Sequence, residues 1–338
     1  MKRSETLVRV MRGELAESAH RGHLAVADAQ GRVLYELGDA DVLVFARSAA
    51  KPLQAIAVAE SGAADRFGLT GKEMAVICAS HNGEPEHTAT VLSILTKIGK
   101  TAGDLQCGAH EPYHKPTADR MKAFGLSPTH LHNNCSGKHA GMLAVAVAQG
   151  WAADGYVNAE HPVQKLMLET FAQMSGWPTD RIILGTDGCG VPVFGLPLAH
   201  LAAAYARLGS PDALEPKRGK TCRRIVDVIR SHPRMIAGRD RFDTQLIEAT
   251  RGRIIGKMGA EGIFALTVPE TGLGIALKIE DGAMRAVYPA IVEALRQLDL
   301  IAPAELARLE SFHRPFVMNR RGEIVGRVEP DFRLRKPE

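Results

Sequence analysis

Short apolar blocks separated by turn residues characterise both ends of the chain. Near the N-terminus, apolar residues at 24–27 and 33–35 flank a Gln-Gly turn, which indicates a β-hairpin. Near the C-terminus, the blocks Ile263–Val268 and Leu273–Ile279 are joined by a Pro-Glu-Thr-Gly turn. The pattern therefore predicts antiparallel strands at both ends of the chain.

The middle of the chain has a longer period. Apolar residues recur there every three to four positions, as they do on the buried face of an α-helix. We predict helices at 53–60, 87–98, 138–149, 163–174, 196–208 and 222–229, and a further helix near the C-terminus at 288–298.

Strands at both ends with helices between them predict an α/β fold of the α+β type. One antiparallel sheet would be built from both termini, with a helical lobe inserted. No Pro/Gly/Ser-rich linker and no internal repeat divides the sequence. We therefore expect residues 1–338 to form a single catalytic domain of two lobes, with sheet-rich ends at about 1–50 and 250–338 and a mainly helical middle at about 51–249.

Composition narrows the class of function. The formal net charge is only +4 and aromatic residues make up 5% of the chain, which argues against nucleic-acid binding. The charged N-terminal residues do not form a secretory signal, and no run reaches the roughly 18 apolar residues of a membrane span. We expect a cytoplasmic protein without a membrane partner. Five cysteines, an odd number, favour thiols or metal ligands over a disulfide framework.

A serine stands three residues before a lysine where a predicted strand, Val42–Phe45, gives way to a predicted helix. Ser48 and Lys51 would share one helical face, so a neutral lysine amine could deprotonate the serine hydroxyl. The spacing by itself is weak, since 12 serines and 14 lysines in 338 residues give a chance expectation of about 0.5. The alternative is that Ser48 caps the helix and Lys51 is solvated.

Two further segments extend this motif into the ordered set of penicillin-recognising serine enzymes, S-x-x-K, S-x-N and K-[TS]-G. Ser80-His81-Asn82 matches the second element, and Lys257-Met258-Gly259, just before the strand at Ile263, approximates the third. The middle element departs from the pattern, because it follows an apolar run and lies only 32 residues after Ser48. If the segments converge, two Ser/Lys pairs share one pocket.

A second constellation is rich in potential metal ligands. Residues 132–141 include two histidines and Cys135, and the glycine-rich segment 185–192 includes Asp187 and Cys189. The two cysteines could hold zinc together with His132, His139 or Asp187, although neither has C-x-x-C spacing. Lys138 shares the helical face of Cys135, but by chemistry alone His139 is the better third ligand. The alternative is that both cysteines are ordinary buried thiols.

Four segments carry a family resemblance over almost the whole chain. The sequence resembles the rhizobial-type (class 3) L-asparaginases of the asparaginase II family at residues 47–52, 79–84, 133–139 and 186–190. The resemblance implies a fold similar to serine β-lactamases and penicillin-binding proteins, amidohydrolase activity (EC 3.5.1.1) that converts L-asparagine to L-aspartate and ammonia, and a homodimer.

The resemblance also implies residue roles. Ser48 would be the nucleophile with Lys51 as its base, and Ser80 would pair with Lys257. The family's zinc is held by two cysteines and a lysine, which correspond to Cys135, Lys138 and Cys189, so Lys138 replaces His139 as the expected third ligand. A structural or affinity role of the zinc is expected rather than a catalytic one.

The small-molecule substrate would be held by charge complementarity. Arg47 and Asp187 are candidates for its α-carboxylate and α-amine, with His139 or Asn134 adding a hydrogen bond. Three alternatives stay open: a glutaminase or another serine amidohydrolase or esterase on the same scaffold, a zinc-dependent amidohydrolase in which Ser48 is incidental, and a zinc-stabilised binding protein without turnover.

Overall fold

The structure, a computed structural model, describes residues 3–337 and has a mixed α/β fold with antiparallel sheet, as the sequence predicts. The strands are β1 Glu5–Arg12, β2 Leu15–Ala27, β3 Val33–Leu37, β4 Leu43–Phe45, β5 Ile183–Thr186, β6 Pro192–Pro197, β7 Ile255–Gly259, β8 Ile263–Val268, β9 Leu273–Ile279, β10 Phe316–Met318 and β11 Ile324–Pro330.

The α-helices are α1 Lys51–Glu60, α2 Ala63–Arg66, α3 Gly71–Ile77, α4 Pro85–Lys97, α5 Lys115–Ala123, α6 Ser136–Gln149, α7 Pro162–Ser175, α8 Leu198–Gly209, α9 Pro216–Ser231, α10 Pro233–Ile236, α11 Phe242–Ala249, α12 Met284–Gln297, α13 Pro303–Arg308 and α14 Glu310–His313. Short 3₁₀ helices lie at Arg47–Ala50, Ala102–Asp104, His130–His132 and Thr179–Arg181. No helix among residues 3–337 combines the length and apolar character that crossing a membrane requires.

The chain divides into two compact units. The sheet unit contains the chain up to Ala49, Leu196–Ser210 and the chain from Gln245 onward, and the helical unit contains Ala50–Gly195 and Pro211–Thr244. Helix α8, which the sequence places in the helical middle, therefore belongs to the sheet unit. Whether the two units form one domain of two lobes stays a prediction.

The large sheet joins both ends of the chain. Its strands follow the order β10-β11-β1-β2-β9-β8-β7, with β3 paired to β2, and its strand pairs are antiparallel. The predicted hairpins β2–β3 and β8–β9 are confirmed. The sequence analysis did not identify β1, the first half of β2, β7, β10 and β11. Charged residues interrupt the apolar patterns of β1, β2 and β11, β7 contains two glycines and a lysine, and β10 has only three residues.

Helices cover the sheet on opposite faces. A Cβ on Gly274 would clash with the backbone of Ala202, so this glycine lets α8 approach β9 closely. On the other face, the ring of Phe264 packs edge-on against Tyr288 of α12. Alternation along paired strands puts Lys257, which lies opposite Ala265, on the face that carries α8.

A buried carboxylate connects helices α12 and α14 of the sheet unit. Glu293 of α12 accepts a hydrogen bond from Nε2 of His313 at 2.9 Å and a bidentate pair from Arg296. Burial opposes ionisation of Glu293, but the hydrogen bonds from Arg296, His313 and Gln297 outweigh burial and lower its pKa to about 2.

The helical unit is built around two buried helices. Every residue of α1 from Lys51 to Ala59 is buried, so this helix is covered on all sides, by α6, α7 and α9 among others. Helix α6 approaches α3 through small residues: a Cβ on Gly137 would meet the carbonyl oxygen of Val76 at 2.1 Å, and one on Gly141 would meet Ile77 at 2.9 Å. These glycines position the end of α3, from which the segment with Ser80 begins.

Candidate active site

Ser48 lies on the short 3₁₀ helix that follows strand β4. The residue before it, Arg47, has a φ of 47°, in the left-handed region that residues with a Cβ rarely adopt. Such a conformation costs on the order of 1–3 kcal/mol and persists where surrounding contacts enforce it. Ala46 and Ala49 are fully buried, and the amide of Ala49 donates to the carbonyl of Ala46 at 3.0 Å. The constrained turn leaves Ser48 half-exposed.

Lys257 lies on β7, the terminal strand of the large sheet, and not merely before a strand as the sequence suggested. Its side chain is 1% exposed and its amine donates to the carbonyl of Met258 at 2.7 Å. A Cβ on Gly259 would lie 3.1 Å from the carbonyl oxygen of Ala46 and 3.2 Å from the Cβ of Arg47. The glycine of Lys257-Met258-Gly259 therefore allows the turn that carries the serine to pack against this strand.

Lys51 and Ser80 form a buried pair in the helical unit. Lys51 is 1% exposed and Ser80 is 3% exposed. The Lys51 amine donates to the Ser80 hydroxyl at 2.9 Å, to the carbonyl of Ala79 at 2.6 Å and to the carbonyl of Asn134 at 3.4 Å. The amide of Ser80 donates to the carbonyl of Ile236 at 2.9 Å. The arrangement permits direct proton exchange between this lysine and this serine, a pairing that sequence reasoning did not foresee.

The residue after Ser80 ties its segment to helix α6. His81 is fully buried, its Nδ1 accepts the amide of Gly83 at 3.1 Å, and its Nε2 lies 2.8 Å from the hydroxyl of Ser136. Burial first, and then the nearby His87 and Lys51, hold the pKa of His81 well below its usual value. His81 is therefore neutral, and its Nε2–H group donates to Ser136 and so holds the Ser80 segment against helix α6.

Asn82, the third residue of this motif, is 3% exposed and its polar groups hold neighbouring chain segments. Its amide nitrogen donates to the carbonyl of Arg239 at 3.2 Å, and its amide oxygen accepts from Nη1 of Arg241 at 2.8 Å. Its main-chain carbonyl accepts the amide of His114 at 3.1 Å. Asn82 thus fixes the loop that precedes α11.

Cys135, Lys138 and Cys189 form a buried cluster in the helical unit, each at most 5% exposed. The Lys138 amine lies 3.1 Å from the sulfur of Cys189. A hydrogen bond from Cys189, together with the charges of Lys51 and Lys138, places the pKa of Cys135 well below that of a free thiol despite burial. Burial opposes the charge on Lys138, but both sulfurs and Asp187 raise its pKa above the ordinary value. The cluster therefore stabilises a thiolate on Cys135 beside the ammonium group of Lys138.

The two histidines considered as alternative ligands have other partners. His139 is fully buried with Nδ1 2.7 Å from the hydroxyl of Tyr156, and Nδ1 of His132 accepts the amide of Thr129 at 3.0 Å. Within residues 3–337, no group of three or more His, Cys, Asp or Glu side chains is arranged to hold a metal. Two soft sulfurs and the nitrogen of Lys138 nevertheless suit zinc.

The segment 185–192 supports this cluster. The amide of Asp187 donates to the carbonyl of Val191, and its side chain accepts the amide of Gly188, both at 2.9 Å. Gly190 has a φ of +86°, which suits glycine in this tight turn. The turn places Cys189 against the amine of Lys138.

Asn134 connects the cysteine cluster to the Lys51–Ser80 pair. Its side-chain oxygen lies 3.0 Å from the sulfur of Cys135, while its main-chain carbonyl accepts from Lys51. Its side-chain nitrogen donates to the hydroxyl of Tyr113 at 3.3 Å, and its amide donates to Nε2 of His110 at 2.9 Å. Asn134 is thus a shared support of both groups.

Sequence reasoning missed several residues of this network, namely His81, His110, Tyr113, Ser136 and Arg241. His81 and Ser136 lie inside motifs that the sequence analysis singled out, so only their contacts were missing. Arg241 lies about 160 residues from Asn82 and no local pattern marks it.

Comparison with known proteins finds a family match over almost the whole chain. A family model described as L-asparaginase II matches residues 8–330. Among solved structures, a β-lactamase from Mycobacterium bovis is 16% identical with a TM-score of 0.41, over 86% of this chain and 95% of that one. Mglu in its glutamate form is 15% identical with a TM-score of 0.37, over 89% of this chain and 65% of that one. No curated protein sequence matches the chain significantly.

Proposed function

Since the chain belongs to the L-asparaginase II family, we propose that it hydrolyses L-asparagine to L-aspartate and ammonia through an acyl-enzyme on Ser48. Family membership makes it an L-asparaginase-type amidohydrolase of a small-molecule substrate. The observation that carries the serine mechanism is the buried hydrogen bond from the Lys51 amine to the Ser80 hydroxyl. A serine hydrolase needs such a proton path beside its nucleophile.

In the proposed first step, neutral Lys51 takes the proton of Ser48 and the serine oxygen attacks the side-chain amide carbon. Backbone N–H groups stabilise the oxyanion. The C–N bond then breaks, and the leaving nitrogen receives its proton through Ser80, with Lys257 as the second lysine of the pathway. Ammonia departs and a β-aspartyl ester remains on Ser48.

In the second step, the same lysines exchange roles. A lysine accepts a proton from water as the water attacks the ester, and Ser48 recovers its proton when L-aspartate is released. The strained turn at Arg47 supports this proposal, because it holds the nucleophile on a constrained backbone. We propose that Arg47 and Asp187 pair with the charged ends of the substrate, with Asn134 or His139 adding a hydrogen bond.

Zinc held by Cys135, Lys138 and Cys189 forms part of the proposal. When bound, the ion would supply a fixed positive charge and Lewis acidity. We propose that it stabilises the segment with Asn134, whose carbonyl accepts from Lys51, and so affects structure or substrate affinity. A homodimer is proposed on family resemblance alone.

The nucleophile is tested by Ser48→Ala. We expect ammonia release from L-asparagine to fall to background while the free energy of unfolding stays within about 1 kcal/mol of wild type, since Ser48 is half-exposed. Mass spectrometry of quenched wild-type enzyme should find an aspartyl adduct on Ser48. Substantial activity in this variant would refute the serine mechanism.

Two further measurements separate the alternatives. Ammonia release from glutamine in place of asparagine tests the glutaminase function. Chelation tests the zinc-dependent amidohydrolase, because removing zinc would abolish activity under that mechanism and would change only affinity or stability under ours. Sustained ammonia release excludes a binding protein without turnover.

A further inference from the structure

Arg241, which the sequence analysis did not select, has the features of an anion-binding residue. Its side chain is partly exposed, and its Nη1 donates to the amide oxygen of Asn82 at 2.8 Å. Its guanidinium carbon lies 6.0 Å from the ring centroid of Tyr113, within the range of a cation–π contact. No carboxylate among residues 3–337 forms a salt bridge with it. A guanidinium held in place by neutral groups has its remaining N–H donors available for an external carboxylate.

The loop that presents Arg241 is constrained. Gly238 has a φ of +113°, and a Cβ there would lie 2.4 Å from a carboxylate oxygen of Glu84 and 2.6 Å from the amide nitrogen of Asn82. Asp240 also has a left-handed backbone, with a φ of 58°, although it carries a Cβ. Strain of this kind persists where surrounding contacts enforce it and clusters at functional sites. The constrained backbone of this loop therefore fixes the position of Arg241, the residue that follows Asp240.

Two short paths connect Arg241 with the Lys51–Ser80 pair, all within the helical unit. Along the chain, Asn82 is two residues after Ser80 and binds Arg241 directly. Through space, the Tyr113 ring contacts Arg241, and the Tyr113 hydroxyl accepts from Asn134, whose carbonyl accepts from the Lys51 amine. The guanidinium is therefore held by Asn82 and Tyr113, which adjoin the residues of the proposed proton path.

We propose that Arg241 is a specificity-determining residue that binds the α-carboxylate of the substrate, in addition to Arg47. This inference rests on the proposed function. Arginine binds a carboxylate through two parallel N–H donors, whereas a substrate without that carboxylate offers no charged partner. Arg241 would thus favour free amino acids over substrates in which the α-carboxylate is blocked.

The test compares two substrates and two variants. L-Asparagine amide replaces the α-carboxylate with an uncharged carboxamide, and its turnover is followed by chromatography of the isoasparagine formed. We expect Arg241→Gln to lower kcat/KM for L-asparagine about 10- to 100-fold, mainly through KM, since a charge-assisted hydrogen bond remote from the reacting amide is lost. Turnover of L-asparagine amide should change less than about threefold. Arg241→Lys should recover part of the loss in kcat/KM, because lysine keeps the positive charge but lacks the two parallel N–H donors of arginine.

Arg239→Gln is the matched control. Arg239 lies on the same loop, but its side chain is 61% exposed and forms a salt bridge with Glu84 at 3.5 Å. Its replacement should leave both substrates almost unaffected. An equal loss for both substrates in Arg241→Gln, or equal behaviour of the two glutamine variants, would overturn the inference.

A binding measurement keeps the inference testable without turnover. β-Alanine is L-aspartate without its α-carboxylate, so calorimetry with both ligands isolates that group. We expect Arg241→Gln to weaken L-aspartate binding about 10- to 100-fold and to leave β-alanine unaffected. Absence of ammonia release from wild type would refute the proposed function, whereas unchanged L-aspartate affinity in Arg241→Gln would refute this inference alone.

Discussion

Ser80→Ala tests whether the buried Lys51–Ser80 hydrogen bond transfers protons or only maintains structure. The substitution removes the 2.9 Å acceptor of the Lys51 amine and leaves the carbonyls of Ala79 and Asn134 as its partners. Loss of a buried hydrogen bond costs about 0.5–1.5 kcal/mol of stability. Loss of general-acid assistance to the leaving nitrogen lowers kcat about 10²- to 10⁴-fold, or ~3–5 kcal/mol in activation free energy.

The leaving group separates these two effects. L-Aspartate β-hydroxamate releases hydroxylamine, a weaker base than ammonia, which needs less proton assistance to depart. We expect the loss of kcat in Ser80→Ala to be at least about tenfold smaller with the hydroxamate than with L-asparagine, measured in parallel under saturating substrate. A structural defect would slow both substrates by the same factor.

Ser175→Ala is the control for the loss of a buried hydroxyl. Ser175 is fully buried, and its hydroxyl donates to the carbonyl of Ala172 at 3.1 Å, on helix α7 of the same unit. We expect this variant to lose stability without any change in kcat. Equal losses of Ser80→Ala on both substrates, or a kcat near that of wild type, would refute the proposed role of Ser80.

The remaining predictions concern the sheet unit. Gly259→Ala should lower kcat and cost about 1–3 kcal/mol of stability, because the added Cβ meets the Arg47 turn at 3.2 Å. Gly103→Ala is the control and should change neither quantity, because its added Cβ has no contact closer than 3.5 Å. An unchanged kcat in Gly259→Ala would contradict the packing argument. Burial opposes ionisation of Glu293, yet its hydrogen bonds, including that from His313, lower its pKa from 4.5 to about 2. It therefore stabilises the fold by about 1–3 kcal/mol above pH 4.5, and this contribution is lost as the pH falls towards 2. The free energy of unfolding, measured with urea, should fall less between pH 6 and pH 3 in Glu293→Gln than in wild type. An identical fall in both proteins would refute this contribution of Glu293.

Local patterns in the sequence accounted for much of the fold. The hairpins β2–β3 and β8–β9 and most long helices were predicted because their apolar periods are clear. Strands β1 and β11 were not, because a strand whose polar residues alternate irregularly is defined by its neighbours rather than by its own pattern. Helix α8 was predicted as a helix, but only packing against β9 reveals that it belongs to the sheet unit.

The sequence by itself determined the chemical groups of the proposed site and their order along the chain. Ser48, Lys51, Ser80 and Lys257 were identified through short motifs, since local spacing and residue type carry that information. The cysteine cluster needed the family resemblance as well, because residue chemistry alone favoured His139 over Lys138. The structure brings Lys138 to Cys189.

The partners of those groups depended on tertiary structure. The Lys51 amine donates to Ser80 and to Asn134, which are 29 and 83 residues away, and Arg241 reaches Asn82 across 159 residues. Contacts at such separations form only when packed helices bring distant segments together, as the glycines of α6 do for α3. The left-handed turn at Arg47 likewise has no local cause, since an arginine prefers other conformations in isolation and is held there by its surroundings.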